Sequence, residues 1–282
     1  MQATASAPAA ISIVNAIPTN LGAAVAIDAT VTASVTLDPE ADVVTADIEG
    51  ESVDDTLIRR CLEVTTDRYG AGEGGHVRTT ADVPPSVGLK TSSAAANATI
   101  MATISALDVA ESIDRLEATR LGVEVAREVG VTITGAFDDA SASMLGGLVI
   151  TDNEADEVLT RRELEEAAVI LIPEERTPTE TVDTAALTAV APISELAIEA
   201  VRDGRHESAM ALNGLAVASA LDIDPEPIRQ AMCETMAVSP SGTGPAIAAI
   251  GSPSVIAAIA ERWGPYGDIL ETRLRQTGVT LD

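Results

Sequence analysis

Residues Pro84 to Asn97 read P-P-S-V-G-L-K-T-S-S-A-A-A-N. Gly88 lets the backbone approach a ligand closely, Thr91, Ser92 and Ser93 supply consecutive hydroxyls, and the alanines open a helix near Ser92 or Ser93. A helix start carries unpaired N–H groups and the positive end of the helix dipole, so this segment suits an anion such as a phosphate, and Lys90 adds a full charge. The same residues also read as a serine N-cap behind a glycine turn. Rarity favours the first reading: the chain has sixteen arginines and one lysine, and that lysine is Lys90. The loop is not G-x-x-x-x-G-K-[ST], because Leu89 separates Gly88 from Lys90 and Val83 holds the first glycine position; G-x-G-x-x-G is also missing.

Working outward from this loop, Ile11–Ile17 and Val25–Val35 read as a strand hairpin turning at Pro18–Gly22, and Val43–Ile48 as a third strand. Asp54–Tyr69 is an amphipathic helix with Leu57, Cys61, Leu62 and Val64 on its apolar side, and Val77–Val83 is a strand behind the Gly70–Gly75 break. Asp114–Val129 is a helix ending at Gly130, and Leu148–Thr151 a strand. The acidic stretch Asp152–Glu166 reads as a surface connection to a second half. There Val169–Ile172 is a short buried strand, Asp183–Arg202, Glu207–Leu221, Pro225–Glu234 and Ser254–Arg262 are helices, and Asp268–Arg275 holds a strand. Mixed strands and helices in both halves predict an α+β protein, not a regular parallel βαβ array.

Two further stretches carry chemistry. T-G-A-F-D-D-A-S-A-S, Thr134 to Ser143, sets Asp138 and Asp139 beside the chain's one phenylalanine, between an apparent strand and the Gly146-Gly147 turn. A partly buried acid pair can serve as general base; the alternative is an Asp-Asp turn in an aspartate-rich chain. S-P-S-G-T-G-P, Ser239 to Pro245, can wrap an anionic or substrate surface with backbone N–H groups. Cys61 and Cys233 are far apart and read as buried thiols, and His76 and His206 are isolated, so neither zinc nor a Ser-His-Asp triad is indicated.

The 282 residues include 44 acidic and 17 basic side chains, a formal charge of −27. That balance excludes a nucleic-acid backbone as partner. Hydrophobic residues make up 46% but aromatic ones 1%, so the core must be aliphatic, and the length suits one large or two modest domains. No apolar run reaches the roughly 18 residues of a membrane helix, which predicts a cytoplasmic protein with no membrane contact. Acid excess with a single lysine fits a protein kept folded by concentrated salt, where the Debye length falls to about 3 Å.

Taken in order, P-S-V-G-L-K-T-S-S-A, F-D-D-A-S-A-S-M-L-G-G and S-G-T-G-P resemble the motif set of the GHMP kinase superfamily, the group of galactokinase, homoserine kinase and mevalonate kinase. With N-A-I-P-T at Asn15 to Thr19, the match is most similar to the archaeal-type shikimate kinases and spans most of the chain. The resemblance implies a ribosomal S5 domain-2-like domain over residues 1–155 and a ferredoxin-like domain over 156–282, with ATP and shikimate between them. It implies that Pro85, Ser86, Val87, Gly88, Leu89, Lys90, Thr91, Ser92, Ser93 and Ala94 form the phosphate loop, and that Ser93 contacts Mg²⁺. Asp139, seven residues before Gly146, matches the catalytic aspartate, with Asp138 as runner-up, and Glu128, eleven before Asp139, falls at a metal-binding glutamate. Lys90-Thr91 stands where the family pattern has one glycine, and Thr19-Asn20-Leu21-Gly22 lacks the lysine of T-G-K-G. The implied reaction forms 3-phosphoshikimate, with Lys90 on the phosphates and an arginine fork on the substrate carboxylate, for which Arg59, Arg60, Arg120 and Arg127 are open candidates. Oligomeric state is not legible.

Overall fold

Two long strands, β1 (Gln2–Val14) and β2 (Leu21–Asp38), form the antiparallel hairpin that the leading β-branched runs predict; β2 is longer than expected at both ends, while β1 begins earlier but stops at Val14, short of Ile17. In the computed structural model, which describes residues 1–49, 54–173 and 183–282, β2 serves two neighbours in succession. Leu21–Val25 pairs with β5 (Leu148–Asp152), and Val31–Asp38 pairs with β4 (Gly74–Ala81). The short β3 (Val44–Ile48) lies parallel to β4, and α1 (Thr56–Tyr69) lies between them in sequence, as a parallel pair requires. β6 (Glu157–Arg162) pairs with β5, and β11 (Thr280–Leu281) comes back from the far end of the chain to pair with β1.

Three helices, α1, α2 (Thr91–Ala106) and α3 (Arg115–Glu128), cover one face of this sheet around Val31, Val35, Val77, Leu62, Ile100, Ile104 and Leu121. α2 is buried nearly all round, which is why its sequence is uniformly small and apolar instead of striped. A shorter helix, α4 (Phe137–Leu145), sits beside it.

The second sheet has the order β10 (Asp268–Arg273), β7 (Ala167–Ile172), β9 (Ile247–Gly251), β8 (Val238–Pro240), all antiparallel. Between β7 and β8 run α5 (Thr184–Ala189), α6 (Ala191–Arg202), α7 (His206–Ala220) and α8 (Pro225–Ala231), and α9 (Pro253–Trp263) links β9 to β10. With the connecting helices taken together, this is the β-α-β-β-α-β succession of a ferredoxin-like unit. One aliphatic cluster spans both sheets, joining Ile11, Ile13, Val25 and Ile27 to Ile170, Ala248, Ile250 and Val201; Val87 and Leu89 belong to it. The loop that carries Gly88 and Lys90 is thus pinned from the core by the alternate residues Val87 and Leu89.

Several expectations are corrected. Asp152–Glu166 is not a plain connection: it contains β6, an edge strand whose exposed and half-buried positions alternate. Charge on such a strand protects an open edge, and it masks the strand in the sequence. Because β6 belongs to the first sheet, that layer runs on to Arg162, past the expected boundary at 155, and β11 returns to it from the other half. The segment around Asp138 is neither strand-flanked nor a turn but the first turn of α4. Asp183–Arg202 divides into two helices at Val190, where Pro192 opens the second without an N–H of its own. Cys61 is buried, but Cys233 is exposed beyond α8. No helix among the described residues is long and apolar enough to cross a membrane.

Of the acidic side chains described, only Asp138 and Asp139 are buried; the rest face solvent or lie half-covered and repel one another at low ionic strength. Dialysis from molar KCl into dilute buffer is therefore expected to unfold the protein, followed by loss of far-ultraviolet circular dichroism; unchanged spectra without salt would contradict a fold held by screening.

Candidate active site

The N-terminal end of α2, the N-terminal end of α4 and the glycine loop between β8 and β9 meet on one cleft of about 790 Å³. Ser12, Asn15, Gly88, Lys90, Ser93, Asn97, Asp138, Asp139 and Gly242 to Gly244 all line it. Val87 and Leu89 point into the core, which turns Gly88 and Lys90 toward the cleft. Gly88 has φ +92°, and a Cβ there would collide with the Ser241 carbonyl oxygen. The position therefore requires glycine on two counts. Ser241 Oγ donates to the Gly88 carbonyl at 2.7 Å, and Ala246 N to the Val87 carbonyl at 3.1 Å, so the two glycine-bearing loops are laced together.

Lys90 caps α2 from a left-handed conformation, φ 61°. Its ammonium lies 3.0 Å from Asp139 Oδ2, and both side chains are about one-tenth exposed, so little water weakens the pair. Gly242 seats that ammonium: a Cβ there would stand 2.8 Å from Lys90 Nζ. The hydroxyls of Thr91, Ser92 and Ser93 make no hydrogen bond among the described residues and occupy the first turn of α2, where the backbone N–H groups are unpaired by geometry. The cradle is preformed.

Asp139 is held above the usual carboxylate range, at about 7, by burial and then by the neighbouring charge of Asp138, against the pull of Lys90. Its second oxygen, Oδ1, is buried without a partner. A basic carboxylate with a free acceptor is suited to take a proton from an alcohol. Asp138 is engaged differently: Asn153 Nδ2 donates to its Oδ1 at 2.8 Å, and Gly22 packs against the carboxylate so closely that a Cβ would overlap it.

The remaining expected residues are placed as follows. Pro85 and Ser86 line the cleft ahead of Gly88, while Val87, Leu89 and Ala94 support the loop from the core. The structure does not bring Glu128 to this site. It is exposed at the end of α3, with its carboxylate on Arg60 Nε at 3.0 Å, because α3 turns Gly122, Val123 and Ala126 toward the cleft instead. None of the four candidate arginines lines the cleft. Arg59 pairs with Asp55, Arg60 with Glu63 and Glu128, Arg120 with the Asp156 carbonyl while lying over Phe137, and Arg127 grips Asp156 with both terminal nitrogens. His76 and His206 pair with Asp47 and Glu166 away from the cleft.

Sequence reasoning missed the polar floor beneath the loops. Asn15 Nδ2 donates to the Gly242 carbonyl, Asn213 Oδ1 accepts from Asn15 N, Asn213 Nδ2 donates to Ser239 Oγ, and Gly242 N donates to Ser12 Oγ. These side chains come from β1, the turn after it, α7 and β8, far apart in the chain. Only their burial in three dimensions singles them out.

Comparison with known proteins agrees with this geometry. The family described as GHMP kinases N terminal domain matches residues 56–147. A curated shikimate kinase of Halobacterium salinarum is 44% identical over 280 residues, 99% of each chain, and one of Methanosarcina mazei is 40% identical over 272 residues, 95% of this chain and 92% of that one. Among solved structures, homoserine kinase from Cytophaga hutchinsonii superposes with TM-score 0.79 at 16% identity, covering 100% of this chain and 97% of that one. The mevalonate kinase of Methanococcus jannaschii gives 0.75 at 14%, covering 98% of each. At such identities these structures speak for the fold alone.

Proposed function

The chain belongs to the shikimate kinases of the GHMP kinase family, and from that premise we propose that it transfers the γ-phosphoryl group of ATP to the 3-hydroxyl of shikimate, with Asp139 as base and Lys90 as clamp. One observation carries the assignment of roles: the buried 3.0 Å pair between the chain's one lysine and an acid of raised basicity, at the tip of a helix.

The segment Pro85 to Ala94 takes the triphosphate, its unpaired N–H groups and the Lys90 ammonium neutralising oxygens whose charge grows as the phosphoryl group departs. The Asp139 carboxylate receives the proton of the attacking hydroxyl; the new oxygen–phosphorus bond forms as the bond to ADP breaks, and ADP leaves with the electron pair. Mg²⁺ suits the hard hydroxyl oxygens of the first turn of α2, and Ser93 is the residue we assign to it; bound there with ATP, it supplies charge neutralisation. Glu128 is left out of that set. The need for ATP supports a cytoplasmic location for the reaction.

Incubation in molar KCl with Mg²⁺-ATP and shikimate, read by mass spectrometry, is expected to give a monophosphorylated product and ADP in equal amounts. Turnover of homoserine or mevalonate in preference to shikimate would reassign the substrate, and ATP binding with no turnover of any of the three would remove the catalytic assignment.

A further inference from the structure

Asn153 lies in the turn between β5 and β6, is 1% exposed, and touches neither loop of the phosphate grip. Its side chain is nevertheless fully committed. Nδ2 donates to Asp138 Oδ1 at 2.8 Å, and Oδ1 accepts from Asp138 N at 3.2 Å and from Thr151 Oγ1 at 2.7 Å. The Asp138 N–H, a donor only, therefore fixes which end of the amide faces the carboxylate, and the Thr151 hydroxyl adds a second donor to the same oxygen. The backbone is held as firmly: Asn153 N donates to the Asn20 carbonyl at 2.8 Å, and its own carbonyl accepts from Arg127 Nη2 at 2.9 Å. Arg127 in turn closes the turn through its two-toothed contact with Asp156.

A buried amide N–H on a carboxylate oxygen fixes where that carboxylate stands, and the charge of Asp138 is one cause of the raised basicity of Asp139. We propose that Asn153 is a positioning residue for the acid pair: by holding the Asp138 carboxylate in place it keeps that charge beside Asp139, the group that must accept the substrate proton. The inference rests on Asp139 as base. The charged groups around the pair are few. Lys90 faces Asp139 from the loop ahead of α2, Gly22 of β2 brings no charge to Asp138, Arg127 and Arg120 of α3 are turned to Asp156 and Phe137, and Arg115 and Arg161 sit at the other end of α4 on the carbonyls of Met144 and Leu145. Lys90 holds Asp139; Asn153 fixes the place of Asp138.

The consequence has a sign. With Asn153 replaced by leucine, the Asp138 carboxylate loses the donor that holds it, its charge is free to turn away from Asp139, and it opposes ionisation of Asp139 less. The acid limb of the kcat profile then moves to lower pH, by about one unit. A residue that merely held the turn in shape would lower kcat at every pH and leave the limb where it was.

The test is the kcat–pH profile of wild type, Asn153→Leu, Thr151→Val, Asp138→Asn and the Asp138→Asn/Asn153→Leu double variant, in molar KCl. Asn153→Leu is expected to shift the limb down by about one unit and Thr151→Val in the same direction by less. Thr151→Val retains Asn153 and decides the matter if the leucine variant does not fold. Asp138→Asn alone should produce the shift, and adding Asn153→Leu to it should move the limb no further, since both act through one charge. Limbs unmoved in both Asn153→Leu and Thr151→Val, or a further shift in the double variant, overturn the proposal. Should Asp139→Asn keep the wild-type limb, the base assignment itself is at fault.

Discussion

Asp139→Asn is expected to lower kcat by at least about 100-fold, the range of a lost general base, while the affinity for Mg²⁺-ATP measured calorimetrically stays within a few-fold of wild type. Asparagine keeps the shape and still fits the first turn of α4, so the loss is chemical. The acid limb of the profile should vanish with the carboxylate: in the wild type, activity falls as pH drops through about 7, because the protonated acid cannot accept a proton. Residual activity near the wild-type level would move the proton elsewhere.

Lys90→Met is expected to be as severe in a different way. Methionine fills similar volume but removes the ammonium, and loss of one charge-stabilising donor aimed at a transition state lowers kcat by about 10²–10³-fold. It should also weaken ATP binding, because the phosphates lose their one full positive charge on this chain in the cleft, where Lys90 is the cation among the described lining residues. Its effect on the pH profile is opposite in direction to that of Asn153→Leu. Lys90 pulls Asp139 toward ionisation, so without it the residual activity requires a higher pH. An arginine at 90 is not a conservative rescue, since the planar fork cannot sit under Gly242 and on Asp139 Oδ2 as a point charge does. Unchanged ATP affinity in Lys90→Met would place the triphosphate away from this loop.

Much of the site was legible because its chemistry is local in sequence. A helix start, its hydroxyls and its cation are neighbours in Pro84–Asn97, and the run of small helix formers that follows suits a closely packed helix, as α2 is. Asp138 and Asp139 are adjacent, and their burial distinguishes them from every other described acid. The parts that were not legible depend on distant segments. β6 hides in an acidic stretch because an edge strand needs only half its face covered. Glu128 was placed by counting along the chain, but the rotation of α3 decides which side chains meet the cleft, and a count of residues does not report it. The arginines were candidates by charge alone; each had already found a partner among carboxylates and carbonyls. Asn153 and Asn213 carry no signal in a single sequence, and Asn15 stands out there only as part of N-A-I-P-T, because an asparagine in a turn and one in a buried hydrogen-bond network look the same.

The return of β11 to β1 matters during synthesis. The first sheet is paired along β1 by β2 from early on, yet its other edge awaits Thr280 and Leu281, and Val279, whose side chain fills the same core, reaches Met144 and Arg115 only then. While the ribosome is still making the second half, the nascent first half carries an open strand border, the kind that recruits a neighbouring chain. The layer that bears the loop of Gly88 and Lys90 gains this edge only with residues 280 and 281, so a molecule interrupted before them has the loop written in full but not the whole sheet beneath it.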